Sequence, residues 1–150
     1  MTKTINLTNK HSIITGASGY LGSSVAIKLA IHGSHLILID INYGQLNKLS
    51  KKIKKLNKKI KIDIITADLS NELERKDLIK YIKVNYNKID IMVNAIGMVG
   101  TDLSDGWNVE YDKQSLESWN KCIEVNLTSV FFLIQGMYKL MRKTKNASIV

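Results

Sequence analysis

At 150 residues with 45% hydrophobic content, the chain is the size of one ordinary domain and can build a core. No apolar run approaches the ~20 residues of a membrane span, residues 1–6 lack the pattern of a signal peptide, and the single Cys122 excludes an internal disulfide. The formal charge of +9 raises a nucleic-acid reading, whereas the cysteine usage fits a reduced, cytoplasmic compartment with no membrane partner.

In chain order, an apolar strand at residues 12–15 leads into Thr15-Gly16-Ala17-Ser18-Gly19-Tyr20-Leu21-Gly22, and a helix follows near residues 20–32. A glycine-spaced turn between a buried strand and a helix leaves backbone N–H groups at an open helix N-terminus, which suits a pyrophosphate. Gly16 allows the sharp turn, Gly19 the close approach of phosphate, and Gly22 the packing of helix on strand. Gly33 is placed to close the helix in a left-handed cap. The next strand, 35–40, is apolar at nearly every position through Leu36-Ile-Leu-Ile39, as expected of a strand buried on both faces.

A helix at 43–55 puts Leu46, Leu49, Ile53 and Leu56 on one face and a dense run of lysines, from Lys48 to Lys61, around the others. With no aromatic residues interleaved for base stacking, the lysines read as a solvated face, and nucleic acid is not expected as a partner. Strands at 61–66, 89–94 and 147–150 alternate with helices at 72–85 and 116–143. Alternation at roughly 30 residues per unit gives an α/β class, a Rossmann-like doubly wound parallel sheet. The chain stops inside the predicted fifth strand, so the 150 residues are expected to be the incomplete N-terminal part of one dinucleotide-binding domain.

Asp40 closes the second strand, 18 positions after Gly22. A carboxylate at this point can accept hydrogen bonds from both hydroxyls of an adenine ribose and repel a 2′-phosphate, which favours NAD over NADP. Ala67-Asp68-Leu69 follows the third strand, Asn94-Ala95-Ile96-Gly97 closes the fourth, and Glu124-Val-Asn126-Leu puts an asparagine inside an apolar helix. In this order and spacing the chain resembles the short-chain dehydrogenase/reductase family from about residue 12 to residue 150.

The resemblance implies that Gly16, Ser18, Gly19, Tyr20, Leu21 and Gly22 hold the cofactor pyrophosphate and Asp40 the ribose. It implies that Asp68 meets the adenine amino group beside the Leu69 backbone, and that Asn94, Ala95 and Gly97 line the adenosine side. Asn126 matches the helix asparagine that binds a water in the family's catalytic proton relay. The implied reaction is NAD-dependent hydride transfer to or from a small secondary alcohol or ketone. The middle glycine, however, falls one place early, as in the sugar-nucleotide branch, and Ala95 replaces the second family asparagine. No Tyr-x-x-x-Lys pair occurs. Tyr138 precedes Arg142, and an arginine does not share protons near neutral pH. The 150 residues alone are therefore expected to bind cofactor without catalysis. A non-catalytic dinucleotide-binding module and a sugar-nucleotide epimerase or dehydratase stand as alternatives.

Residues 98–115, with Trp107 and Tyr111, sit where a substrate would approach. Trp119, Ile123, Leu127, Phe131, Ile134 and Tyr138 recur at helical spacing, which either core packing or a homo-oligomer interface explains. Phe132 and Met137, on other faces, favour the oligomer. Cys122 reads as a buried, inert thiol.

Overall fold

The computed structural model describes residues 5–98 and 108–150. Five parallel strands, β1 (His11–Thr15), β2 (His35–Asp40), β3 (Ile62–Thr66), β4 (Ile91–Asn94) and β5 (Ser148–Ile149), lie in the order β3-β2-β1-β4-β5. The helices between them are α1 (Tyr20–Ile31), α2 (Tyr43–Leu56), α3 (Glu72–Asn85), α4 (Leu116–Ile123) and α5 (Ser129–Met141). The strand order reverses between β1 and β4, both of which pair with their neighbours in parallel register: Ile13 lies opposite Ile37 on one side and Met92 on the other. The fold is the Rossmann-like α/β sheet expected from the alternation of short apolar and longer amphipathic runs.

Both faces of the sheet are covered. Ile13, Ile37, Ile39 and Met92 pack with Leu78 and Ile82 of α3 and Leu133 and Met137 of α5. On the other face Ile14, Leu36, Leu38 and Val93 pack with Ala26 and Ala30 of α1 and Leu46, Leu49 and Ile53 of α2. This two-sided burial is why β2 reads as an unbroken apolar run and not as an alternating one. Gly33 adopts φ +96° just past α1, so the left-handed stop forms at the expected glycine.

Three local expectations are corrected. Leu56 is 55% exposed, because the apolar stripe of α2 ends at Ile53 as the helix reaches its C-terminus. Met137 is fully buried in the core and gives no support to an oligomer face. The single helix expected at 116–143 is divided by a π-turn, Glu124–Thr128, in which the Ser129 amide donates to the Glu124 carbonyl five residues back. The Ser129 hydroxyl donates to the Val125 carbonyl at 2.6 Å. One extra residue in that turn bulges the helix without breaking it. Trp107 lies outside the described residues.

Candidate dinucleotide site

The C-terminal ends of β1, β2, β3 and β4 open onto a cleft of about 530 Å³, next to the point where the strand order reverses. Gly16 takes φ +60°, which only glycine adopts without cost, and a Cβ there would meet the Ala95 carbonyl at 2.5 Å. A Cβ on Gly22 would sit inside the Gly16 carbonyl. Gly22 therefore serves the packing of α1 against the turn itself, more directly than against the strand. Gly19 is the α1 N-cap, with ordinary φ −69°, and no side chain caps the helix. The first intrahelical bond runs from the Ser23 amide to the Gly19 carbonyl at 2.9 Å, so the amides of Tyr20, Leu21 and Gly22 precede it. The helix has no acid in its own first turn, so it carries no carboxylate of its own to offset the positive end of its dipole.

Asp40 forms the next wall. Its Oδ2 accepts a hydrogen bond from the Ser18 amide at 2.9 Å and its Oδ1 one from the Asn42 amide at 3.1 Å. A carboxylate has about four lone-pair positions, so two acceptor positions are left. Further along, Asp68 Oδ1 accepts from both the amide and the hydroxyl of Ser70, at 2.9 and 2.7 Å. The Asp68 amide donates to Glu74 Oε2 at 2.7 Å. This holds the Asp68 side chain still and leaves its Oδ2 for another donor.

The expected residues Gly16, Gly19, Asp40, Asp68, Leu69, Ala95 and Gly97 line this one cleft. Ser18, Tyr20, Leu21, Gly22, Asn94 and Asn126 do not. Tyr20 is 95% exposed and Leu21 63%, and their amides stand ahead of the first intrahelical bond. Asn94 donates its amide and its Nδ2 to the Val150 carbonyl at 2.8 and 3.2 Å, tying the end of β4 to β5. Asn126 faces Met98: its Oδ1 accepts from the Met98 amide at 2.7 Å and its Nδ2 donates to the Met98 carbonyl at 3.0 Å. Nδ2 also lies 3.1 Å from Sγ of the buried Cys122.

Sequence reasoning missed Lys121 and Val125, which line the cleft one turn apart on α4 and the π-turn. Val125 sits inside the Glu124-Val-Asn126 motif, and Lys121 is four residues before it, so helical spacing from the motif would have found both. Tyr138 is at the other end: the Leu140 carbonyl accepts from the Ile89 amide, near the start of β4, and Arg142 stacks on the Tyr138 ring.

Residues 10–150 match the family model for the short chain dehydrogenase. The chain belongs to the short-chain dehydrogenase family. It is 26% identical over 147 residues to an uncharacterized oxidoreductase of Staphylococcus saprophyticus, covering 97% of this chain and 59% of that protein. It is 28% identical over 146 residues to a 3-oxoacyl-acyl-carrier-protein reductase of Thermotoga maritima, covering 97% of this chain and 56% of that one. A short-chain dehydrogenase of Shigella flexneri superposes with a TM-score of 0.85 at 23% identity over 99% of this chain and 56% of its own. A second Shigella flexneri chain, solved with NADP, superposes with a TM-score of 0.84 at 23% identity, over 98% and 59%. The chain thus spans a little under 60% of the length of these relatives.

In a short-chain dehydrogenase the cleft has the right parts for a nicotinamide dinucleotide. The turn gives amides without side chains in the way, Asp40 is a fixed acceptor at the end of β2, and Asp68 is a fixed acceptor at the far wall. No group of histidine, cysteine and acidic residues among the described residues could hold a metal ion.

Proposed function

We propose that residues 1–150 are the cofactor-binding part of an NAD-dependent oxidoreductase that transfers hydride between nicotinamide and a secondary alcohol or ketone. The observation that carries the reading is Asp40, pinned by two backbone amides in the wall of the cleft and left with spare acceptor positions. Two hydroxyls of a ribose would fill those positions, while a 2′-phosphate would face a fixed negative charge. The amides of the Gly16–Gly22 turn and the open end of α1 would take the pyrophosphate. Asp68 Oδ2 would accept from the adenine amino group beside Leu69. Asn94, Ala95 and Gly97 shape the adenosine side, and Asn126 holds its rim. When bound, the nicotinamide supplies the hydride donor and acceptor.

A Ser and a Tyr-x-x-x-Lys pair would orient the substrate oxygen and move its proton, and no such Tyr-x-x-x-Lys occurs in the 150 residues. The 150 residues alone should therefore bind dinucleotide and turn nothing over. That same absence favours one other reading, a dinucleotide-binding module without hydride transfer. The proposal takes the protein as cytoplasmic and homo-oligomeric, with the exposed Leu127, Phe131 and Tyr138 row covered by a second copy. No helix among the described residues is long and apolar enough to cross a membrane.

Two of the structural relatives were solved with NADP or NADPH, at 23% and 24% identity. Titration with NADH and NADPH, followed by nicotinamide fluorescence, decides the matter. The proposal expects NADH to bind about tenfold tighter or more, a difference of roughly 1.4 kcal/mol. Tighter NADPH would overturn the cofactor assignment, and binding of neither would overturn the whole reading.

A further inference from the structure

We infer that Arg75 is a positioning residue that ties the adenine wall of the cleft to the π-turn, so that the two move as one unit. The inference rests on the dinucleotide reading above. α3 carries ordinary solvated charges on its outer face, such as Glu72 and Lys76, whose side chains are 61% and 62% exposed. Arg75 lies on the same helix but is 3% exposed. Its Nη1 donates to the Leu69 carbonyl at 2.7 Å, its Nη2 pairs with Glu124 Oε1 at 2.5 Å, and its guanidinium lies 5.6 Å above the centre of the Phe132 ring.

The two acceptors belong to different elements that reach the cleft, the segment after β3 and the π-turn. Leu69 lines it directly. Glu124 opens the π-turn, and the next two residues are Val125, which lines the cleft, and Asn126, which holds Met98. A planar guanidinium spans two acceptors at a fixed separation, and an ammonium does not. Stability alone is a poor reason for this arrangement, since a buried ion pair is often matched or bettered by apolar residues of similar size. The pair is also incompletely satisfied, because Arg75 Nε is buried with no partner. What the guanidinium supplies, and an apolar side chain would not, is a fixed distance between the Leu69 carbonyl and the π-turn.

The test compares wild type with R75M/E124Q, which leaves no lone buried charge, and with R75K, which keeps the charge but not the fork. Affinities for NADH and for AMP are measured together with thermal stability and amide hydrogen exchange. The double variant should keep a cooperative melt, bind NADH and AMP about tenfold more weakly, and exchange faster at residues 69–70 and 124–128 together. R75K should be intermediate in affinity. In wild type, AMP should protect both segments. A folded R75M/E124Q with wild-type affinity, or AMP protection limited to residues 69–70, would overturn the inference. If the double variant does not fold, R75K decides on the same readouts, and its full retention of affinity and exchange overturns it. Wild type that binds neither NADH nor AMP would overturn the dinucleotide reading itself.

Discussion

The Asp40 carboxylate receives the Ser18 amide at 2.9 Å, so the end of β2 and the glycine turn after β1 are locked to one another. This gives Asp40 two tasks: it shapes the turn, and it faces the cleft with its remaining lone pairs. The two tasks separate under mutation. In D40N one oxygen remains to accept the Ser18 amide, the exposed Asn42 amide turns to solvent, and the charge is gone. D40N should therefore stay folded, with its melting temperature within a few degrees of wild type, while its preference for NADH over NADPH narrows about tenfold. Parallel titrations of both cofactors check this, and an unchanged ratio would remove Asp40 from the ribose.

Gly22 tests the steric reading of the turn. A methyl group there enters the Gly16 carbonyl, which is backbone and cannot rotate away. Overpacking of this kind costs roughly 1–3 kcal/mol or more. For a chain of this size that corresponds to a fall in melting temperature of about 2–12 °C. G22A should show that loss together with weaker AMP binding. G19A should lose clearly less than G22A, since a methyl group at Gly19 meets the Gly16 carbonyl at 3.3 Å, a tight contact without overlap, and φ is ordinary.

The opposite end of the sheet sets the pH response. Burial pushes the His11 imidazole below its ordinary 6.5, the charges of His35, Lys88 and Lys61 push the same way, and Asp90 opposes them. His11 Nδ1 is buried with no partner, so a proton there has nothing to receive it. The unfolded chain then binds more protons than the fold below pH 6.5, and stability falls as pH drops from that value. Burial pushes the Asp90 carboxyl up, but hydrogen bonds from Lys10 and the His11 amide, with the charges of Lys10 and Lys88, outweigh it and hold it below 3.8. Its contribution is complete above 3.8 and is lost as pH falls further. Melting curves from pH 3 to 8 should show both limbs. H11Q should flatten the upper limb alone. D90N should cost about 2–3 kcal/mol at pH 7 and flatten the lower one.

Much of this was legible because burial on both faces writes itself into composition. Leu36–Ile39, short and apolar at every position, fits a strand buried on both faces, and Gly33 marks the end of α1 through a backbone angle that other residues avoid. Asp40 and Asp68 could be placed because one closes and the other follows a strand whose end is itself legible. The π-turn could not, because one extra residue in a helical turn leaves the surrounding apolar spacing nearly intact, and Met98, which its Asn126 holds, lies 28 positions away. In the sequence Arg75 stands among the many charges of residues 72–83. Its spacing with Leu78 and Ile82, three and seven residues on, nevertheless puts it on the buried stripe. A cation on an apolar stripe announces a partner, but only the fold says that the partner is Glu124.

Asn126 offers the sharpest test of what the π-turn is for. The family resemblance gives this asparagine a water in a proton relay, whereas here its side-chain amide is spent on both backbone groups of Met98. N126A removes the side-chain hold on Met98. It should cost about 1–2 kcal/mol from two lost hydrogen bonds and release the Met98 amide to exchange. N126D keeps an acceptor for the Met98 amide but places a carboxylate oxygen against the Met98 carbonyl, so it should protect Met98 no better than alanine does. If Met98 exchange is unchanged in both variants, the clamp holds nothing. If Met98 is released and AMP affinity also falls, the rim of the cleft is set from the π-turn, and the asparagine acts on the cofactor side before any relay is considered.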